Sequence, residues 1–206
     1  MSAALRLWGR TSSINVRKVL WTADEIGLAV DQQDPSGSGA ARLRGLNPHG
    51  LTPVIEGDEL VLWESNTICR YLAHKHARTD LLPVPPHARA RVEMWMDWQA
   101  AELNPVWRYA FMSLVRGDGA YRDANEIARS EREWNAAMRV LDAQLAATGA
   151  YVAGRGFTLA DIVVALSVHR WRETPIDRPA VAAVDAYLIR LADRPGFRVH
   201  CAPGVP

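Results

Sequence analysis

The hydrophobic positions of the first eighty residues alternate between strand spacing and helix spacing. Leu5 and Leu7 lie two positions apart, as in a strand, and this apolar run ends at Trp8-Gly9. Apolar residues then recur at helical spacing from Val16 to Ala23, until Gly27 offers a helix stop. The pattern predicts a strand followed by a helix.

The next stretch carries a strand pattern, a polar loop and a hairpin pattern. The segment "LAVDQQ" predicts a second strand. The Pro, Gly and Ser content of "DPSGSGAARLRG" predicts a surface loop with room for one turn of helix. Two apolar runs in "TPVIEGDELVLW" flank Gly57-Asp58, which predicts a tight antiparallel hairpin.

A helix closes this half of the chain in the segment "ESNTICRYLAHKH". Ile68, Tyr71 and Leu72 share one helical face. Ser65 and Asn66 are residue types that cap a helix start, so we expect one of them at the N-cap. The predicted order is βαβ, a loop, and then ββα.

Prolines at positions 83, 85 and 86 mark a change of pattern. They exclude a continuing helix and favour an extended linker. We therefore predict three parts, which are a first domain over residues 1–80, a linker over 81–87 and a second domain over 88–206.

The second half shows helical spacing almost throughout. The apolar residues from Trp134 to Leu145 are spaced four, three and four apart, as an amphipathic helix requires. The segment "TLADIVVALSVHRW" is apolar on most sides and predicts a buried central helix. Thr158 and Asp161 at its start resemble a capping box, with Asp in place of the usual Glu.

Composition and charge narrow the class of protein. The 206 residues are 49% hydrophobic and 23% charged, which is enough to form a core of one large or two small domains. The formal net charge is +1 without a long run of either sign, so no basic footprint of a nucleic-acid binder is present.

The cysteine count and the apolar runs predict a cytoplasmic protein. Cys69 and Cys201 cannot form a disulfide framework or a zinc cluster, and no Cys-x-x-Cys pair occurs. No signal pattern and no apolar run of about 20 residues occurs either, so we expect no membrane association.

Three hydroxyl residues, Thr11, Ser12 and Ser13, stand between the first strand and the first helix. One hydroxyl is enough to cap a helix, and hydroxyls at this position are usually caps. The others either complete a turn or serve a site, and the stretch alone leaves both roles open.

Four motifs in order resemble those of the soluble glutathione transferases. They are "SINVRKV", "NPHGLTPVIEGD", "ESNTICRYLA" and "FTLADIVVA", and the resemblance covers essentially the whole chain. The turn after the first strand is most similar to the serine-type classes, including the phi class and bacterial relatives. The resemblance implies an N-terminal thioredoxin-like α/β domain followed by an all-helical domain.

The resemblance assigns Ser13 as the catalytic serine that holds the glutathione thiolate. A free thiol with a pKa near ~8.5 is mostly protonated at neutral pH, so the site must favour the anion. A hydroxyl at a helix N-terminus can donate a charge-assisted hydrogen bond to sulfur, and the helix dipole acts in the same direction. Ser12 is the alternative donor, and Asn15 could orient either hydroxyl.

Two further motifs are implied to bind glutathione. The family keeps a cis proline at the position of Pro53, and the backbone of Thr52 pairs with the cysteinyl part of the ligand like an added strand. Glu64 is implied to pair with the γ-glutamyl ammonium, while the Ser65 hydroxyl and the helix N-terminus receive the carboxylate.

The chain departs from the family pattern at one point. Relatives often carry a polar or basic side chain where this chain has Leu51, and His49 is the candidate to compensate. Arg42 or Arg44 could hold the glycine carboxylate of glutathione. Asp161 lies where the family keeps a folding signal, so it is not assigned to the site.

We expect the electrophile pocket between the domains. The segment "WMDWQAAELNPVWRYAF" concentrates aromatic residues around Asn104-Pro105, where a helix kink could open a cleft. Trp107 and Phe111 are the candidates, although an aromatic stripe at helical spacing is more often core.

The leading hypothesis is a glutathione transferase that directs the thiolate onto a small hydrophobic electrophile. It needs glutathione as co-substrate and no metal, and the family implies a homodimer. Isomerisation, dehalogenation and peroxide reduction would use the same site. The alternative class is a non-catalytic ligand carrier or interaction module. A thiol-disulfide oxidoreductase is disfavoured because no cysteine lies near the first helix.

Overall fold

The protein was analysed as a computed structural model, which describes residues 4–57, 60–202 and 204. The chain forms two compact units, Met1–Val84 and Pro85–Pro206. The first contains all the strands of the described chain, and the second is helical apart from one isolated bridge between Tyr151 and Gly154.

The first unit is a four-stranded mixed sheet with helices. Its elements are β1 (Leu5–Trp8), α1 (Ile14–Ile26), β2 (Val30–Gln33), α2 (Gly39–Leu46), β3 (Val54–Glu56), β4 (Val61–Trp63) and α3 (Ser65–Lys75). The strand order is β2-β1-β3-β4, in which β1 and β2 are parallel and the other pairs are antiparallel. This is the predicted thioredoxin-like arrangement of βαβ followed by ββα.

The predicted end of the first helix and the predicted hairpin are both present. Gly27 ends α1 in the left-handed conformation, which glycine adopts at no steric cost. Ile55 of β3 pairs with Leu62 of β4 in antiparallel register. Of the predicted Gly57-Asp58 turn, Asp58 lies outside the described residues.

Two predictions for this unit were wrong. The segment expected to be a loop with one turn of helix contains the eight-residue helix α2, which its Gly and Ser residues obscured. The N-cap of α3 is Glu64 rather than Ser65 or Asn66. Ser65 is instead the first helical residue, because the chain turns into the helix one position earlier than the capping residue types indicate.

The second unit consists of helices around one buried central helix. Its elements are α4 (Pro86–Trp98), α5 (Asn104–Leu114), α6 (Ala124–Thr148), α7 (Leu159–Glu173), α8 (Ala182–Leu191) and α9 (Pro195–His200). The predicted buried helix is α7, and its start carries the predicted capping box of Thr158 and Asp161. The amphipathic stripe from Trp134 to Leu145 forms the buried face of α6.

A π-helical turn over Gln99–Leu103 joins α4 to α5, where we expected a kink at Asn104-Pro105. Pro105 has no N–H to donate to the carbonyl one turn earlier, so the regular α-helical bond cannot form there. Within the turn, the buried Gln99 amide donates to Asn104 (2.9 Å) and to Ser167 of α7 (2.9 Å).

Each helix of the described residues is either too short or too polar to span a lipid bilayer.

Candidate active site

Ser13 lies at the N-cap of α1, but its hydroxyl does not act as a cap. Its backbone is extended, its carbonyl accepts the first helical bond from Arg17 (3.0 Å), and its side chain makes no capping hydrogen bond. Ser13 is half-buried, whereas Thr11 and Ser12 are exposed. The hydroxyl is therefore available at the positive end of the helix dipole.

Gly9 allows the backbone near Thr52 to approach this helix start. Gly9 has a φ of 148°, and a Cβ there would lie 2.4 Å from Val16 and 3.2 Å from the side chain of Thr52. Any larger residue would separate the end of β1 from α1 and from the loop before β3. The Thr52-Pro53 peptide is cis, as the resemblance implied.

Ser12, Ser13, Leu51 and Thr52 come together in one depression of about 360 Å³, which we call the inner depression. The other residues that line it are Arg10, Pro35, Ser36, Leu43 and Gly50. An adjoining space of about 450 Å³, the outer depression, is lined by Gly9, Arg10, Thr11, Ser12, Gln32, Gln33 and Asp34. Sequence reasoning missed Arg10, Pro35 and Ser36, because they lie in turns whose placement no periodicity predicts.

Asn47 fixes the loop that carries the predicted binding residues. This side chain is buried, donates to the carbonyl of Leu51 (2.9 Å) and accepts from the backbone N–H of His49 (3.0 Å). Such side-chain-to-backbone bonds are typical of Asn in turns. Its role was missed, although the Asn-Pro pair was a signal for a turn.

Of Leu51 and the residue that was predicted to compensate for it, His49, only Leu51 lines the inner depression. Leu51 is 67% exposed, yet it lines the inner depression. His49 packs edge-on against Trp63 with ring centroids 5.5 Å apart, and it is not among the lining residues.

Glu64 and Ser65 lie at the start of α3. Neither is among the residues that line the inner depression. Glu64 is exposed and has a φ of 72°, a left-handed conformation that costs a non-glycine residue about 1–3 kcal/mol. Such strain persists where the surrounding structure or a function requires it. Ser65 is buried beside it in the first turn, where backbone N–H groups can bind an anion.

A buried contact joins the starts of α1 and α3. The Lys18 ammonium donates to the Asn66 carboxamide (3.2 Å), and both side chains are buried. Since Ser13 begins α1 and Ser65 begins α3, this contact fixes the relative position of the two predicted binding regions.

Asn15 does not orient a serine hydroxyl in this structure. Its Oδ1 atom is buried and accepts no hydrogen bond from the described residues. The predicted orienting contact is therefore not formed.

Arg42 is engaged elsewhere. Its guanidinium pairs with Glu56 at the end of β3. Burial alone would raise the pKa of the Glu56 carboxyl, but hydrogen bonds from Arg42 and the Trp8 indole outweigh it and lower the pKa. Arg44 is exposed and also does not line the inner depression.

Trp107 and Phe111 form a packed pair in α5. Their rings meet edge-on with centroids 5.4 Å apart, and the Trp107 indole donates to Asn104 (3.1 Å). The Arg170 guanidinium of α7 lies 4.5 Å from the Trp107 ring centroid and 4.1 Å from that of Phe111. Phe111 is buried, which fits the core role that an aromatic stripe usually has.

The two cysteines, Cys69 and Cys201, are buried thiols. Cys69 is buried in α3, and burial raises the pKa of its thiol to about 11, which disfavours the reactive thiolate. Among the residues that the structure describes, no cluster of His, Cys, Asp and Glu could hold a metal ion.

Comparison with known families and proteins gives consistent matches. The model of the glutathione S-transferase N-terminal domain matches residues 3–74, and that of the C-terminal domain matches residues 103–195. Glutathione S-transferase GstB of Escherichia coli K12 is 35% identical over 202 residues, covering 87% of this chain and 97% of that protein. Glutathione S-transferase 3 of Zea mays is 34% identical, covering 95% and 92%.

Solved structures agree with the sequence matches. A theta class glutathione S-transferase from Xanthomonas axonopodis pv. citri, with glutathione bound, superposes with a TM-score of 0.90 at 35% identity and covers 100% of both chains. The family models together span most of the sequence. The chain therefore belongs to the glutathione S-transferase family.

Proposed function

We propose that this glutathione transferase binds glutathione in the inner depression and at the start of α3, and that Ser13 stabilises the thiolate. The observation that carries the proposal is the Ser13 hydroxyl. It lies at a helix N-terminus, makes no capping bond, and shares a depression with Thr52. A hydroxyl in that position can donate to a sulfur anion.

The other proposed contacts bind the cysteinyl and γ-glutamyl parts of glutathione. The backbone of Thr52 pairs with the cysteinyl unit, as an added strand pairs with a sheet edge. Glu64 binds the γ-glutamyl ammonium, and the Ser65 hydroxyl with the first turn of α3 binds its carboxylate. The strained backbone of Glu64 supports a functional role for this position.

The reaction proposed is conjugation to a small hydrophobic electrophile. The thiol proton leaves to solvent, the thiolate attacks an electrophilic carbon, a C–S bond forms, and the leaving group departs with the bonding electrons. The protein supplies positioning and anion stabilisation, without a covalent intermediate on the enzyme and without a metal. Of the two predicted electrophile contacts, the half-buried Trp107 is the one proposed here, whereas Phe111 lies buried behind it in the core. A cytoplasmic homodimer is the proposed assembly.

Turnover of glutathione with 1-chloro-2,4-dinitrobenzene tests this function. We expect Ser13→Ala to lower kcat/KM about 10- to 100-fold, because a hydrogen bond to a charged group contributes about 1.5–3 kcal/mol. The Kd of glutathione should change little. Ser38→Ala is the matched control, because Ser38 is also an N-cap without a capping side-chain bond in the same unit.

Two results would contradict the proposal. Glutathione binding without turnover of any electrophile in a panel would favour the non-catalytic carrier. Equal losses in Ser13→Ala and Ser38→Ala would show that the effect comes from helix starts in general and not from the thiolate.

A further inference from the structure

Arg10 lies in the first unit, in the turn between the end of β1 and the start of α1. It lines both the inner and the outer depression. Among the described residues that line the inner depression, it is the single basic side chain, and none is acidic. The positive end of α1 lies in the same depression. The inner depression is therefore suited to a negatively charged group.

The ion pair that Arg10 makes is easily exchanged. Its Nε lies 3.3 Å from Oδ1 of Asp34, and the two side chains are 58% and 66% exposed. Exposed pairs of this kind contribute little to stability. The same Oδ1 already accepts from the backbone N–H (2.9 Å) and the hydroxyl (2.8 Å) of Ser36, so Asp34 does not depend on Arg10.

The neighbouring arginines cannot easily take this role. Arg42 is paired with Glu56, which is largely buried. Arg6 lies between Asp31 (3.6 Å) and Glu56 (3.9 Å) on the strands. Neither lines the inner depression, so Arg10 is the arginine placed to contact a ligand at Ser13.

We infer that Arg10 binds a carboxylate of the ligands that meet at Ser13. The planar guanidinium can bind both carboxylate oxygens with its terminal nitrogens, which an ammonium cannot do. The carboxylate comes from the glycine end of glutathione or from an acid group on the electrophile. This inference rests on the proposed function, which brings glutathione to Ser13.

Binding of S-methylglutathione tests the first source. This ligand has no thiol to ionise, so its affinity does not depend on the hydrogen bond proposed for Ser13. If the glycine carboxylate is bound, Arg10→Gln weakens S-methylglutathione about tenfold in calorimetry and leaves its glycine ethyl ester unchanged. Arg10→Lys should recover part of the loss for the free acid only.

Turnover of a matched pair of aryl chlorides tests the second source. If the acid group lies on the electrophile, Arg10→Gln lowers kcat/KM for 4-chloro-3-nitrobenzoate about tenfold. The value for 4-chloro-3-nitrobenzamide should stay the same, and so should the affinity for S-methylglutathione. A positive result in either arm supports carboxylate binding and names its source.

Asp34→Asn is the control for a purely structural ion pair. This variant breaks the charge pair but keeps an oxygen for Ser36, and we expect it to preserve or increase carboxylate affinity. The inference is overturned if Arg10→Gln affects charged and uncharged ligands alike, if it affects neither, or if Asp34→Asn causes the same loss. A failed Ser13 test with a positive Arg10 test would reject the thiolate donor alone.

Discussion

The hydrogen bonds of the buried Asp161 side chain predict how strongly a substitution at this position destabilises the helical unit. Its Oδ1 atom accepts from the Val152 N–H (2.9 Å) and the Tyr187 hydroxyl (3.1 Å). Its Oδ2 atom accepts from the Thr158 N–H (2.8 Å) and the Thr158 hydroxyl (3.1 Å). The side chain is fully buried, so these bonds have no water to replace them.

Asp161→Ala leaves two buried backbone N–H groups without an acceptor. Each such group costs about 1–3 kcal/mol, so we expect the free energy of unfolding to fall by about 3 kcal/mol at pH 8. Asp142→Ala is the control, because Asp142 caps α8 through the N–H groups of Ala183 and Val184 from a part-buried position. Its loss should be about 1 kcal/mol.

The loss should also depend on pH. Burial raises the pKa of Asp161 from 3.8 to about 6, so between these values the folded protein holds a proton that the unfolded chain has released. The stabilisation from this proton is fully present below pH 3.8 and is lost as the pH rises through 6. It amounts to about 3 kcal/mol in total and about 1 kcal/mol at pH 5.

Urea unfolding at pH 5 and pH 8 measures both effects. Tryptophan fluorescence and far-ultraviolet circular dichroism should be recorded together, because two units can unfold separately. We expect Asp161→Ala to lose about 1 kcal/mol more at pH 5 than at pH 8. A loss below about 1 kcal/mol would refute the role of the four bonds. A larger loss at pH 8 than at pH 5 would refute the direction of the pKa change.

Three further predictions concern the binding site and the assembly. Glu64→Ala should weaken glutathione binding in calorimetry, because it removes the partner of the ligand ammonium, and the loss should be about 1.5–3 kcal/mol if the bound ligand largely desolvates that contact. Glu64→Gly should lose the same affinity but unfold at a higher temperature than Glu64→Ala, since glycine relieves the strain at a φ of 72°; equal melting temperatures would contradict this. Asn47→Ala should lower both glutathione affinity and stability, the latter by about 1–3 kcal/mol, because it releases the loop before Thr52; unchanged affinity would separate the loop from the site. Light scattering at micromolar concentration should give a dimer, as the family implies, and a monomer would reject the proposed assembly.

The elements that were predicted correctly have a strong local signal. The helix over Ile14–Ile26 combines regular apolar spacing with a glycine stop, and the start of α7 combines Thr158 with Asp161 three residues later. These features involve contacts within a few residues, so they are visible in the sequence. The resemblance predicted which distant segments come together, including those of Ser13 and Thr52. Hydrophobic periodicity cannot predict such long-range proximity.

The features that were missed depend on contacts between segments far apart in the chain. Glu64 takes the N-cap of α3 in a left-handed conformation that its residue type does not favour, so tertiary structure overrides local preference there. Arg10 and Ser36 reach the inner depression from two different turns. The helix α2 contains Gly39 and Gly45, which weakened its pattern although the helix is formed.

The central claim is that the Ser13 hydroxyl holds the glutathione thiolate, and its most direct test is a titration of the bound thiol. The ultraviolet absorbance of the thiolate should be followed against pH in the wild type, Ser13→Ala, Ser12→Ala and Thr158→Ala. A lost hydrogen bond of about 1.5–3 kcal/mol should raise the pKa of the bound thiol by about one to two units in Ser13→Ala. Thr158→Ala, which removes a cap in the other unit, should lower stability by about 1 kcal/mol without moving the titration. A shift in Ser12→Ala alone would assign the role to the neighbouring hydroxyl, and an unmoved titration in Ser13→Ala would contradict the account.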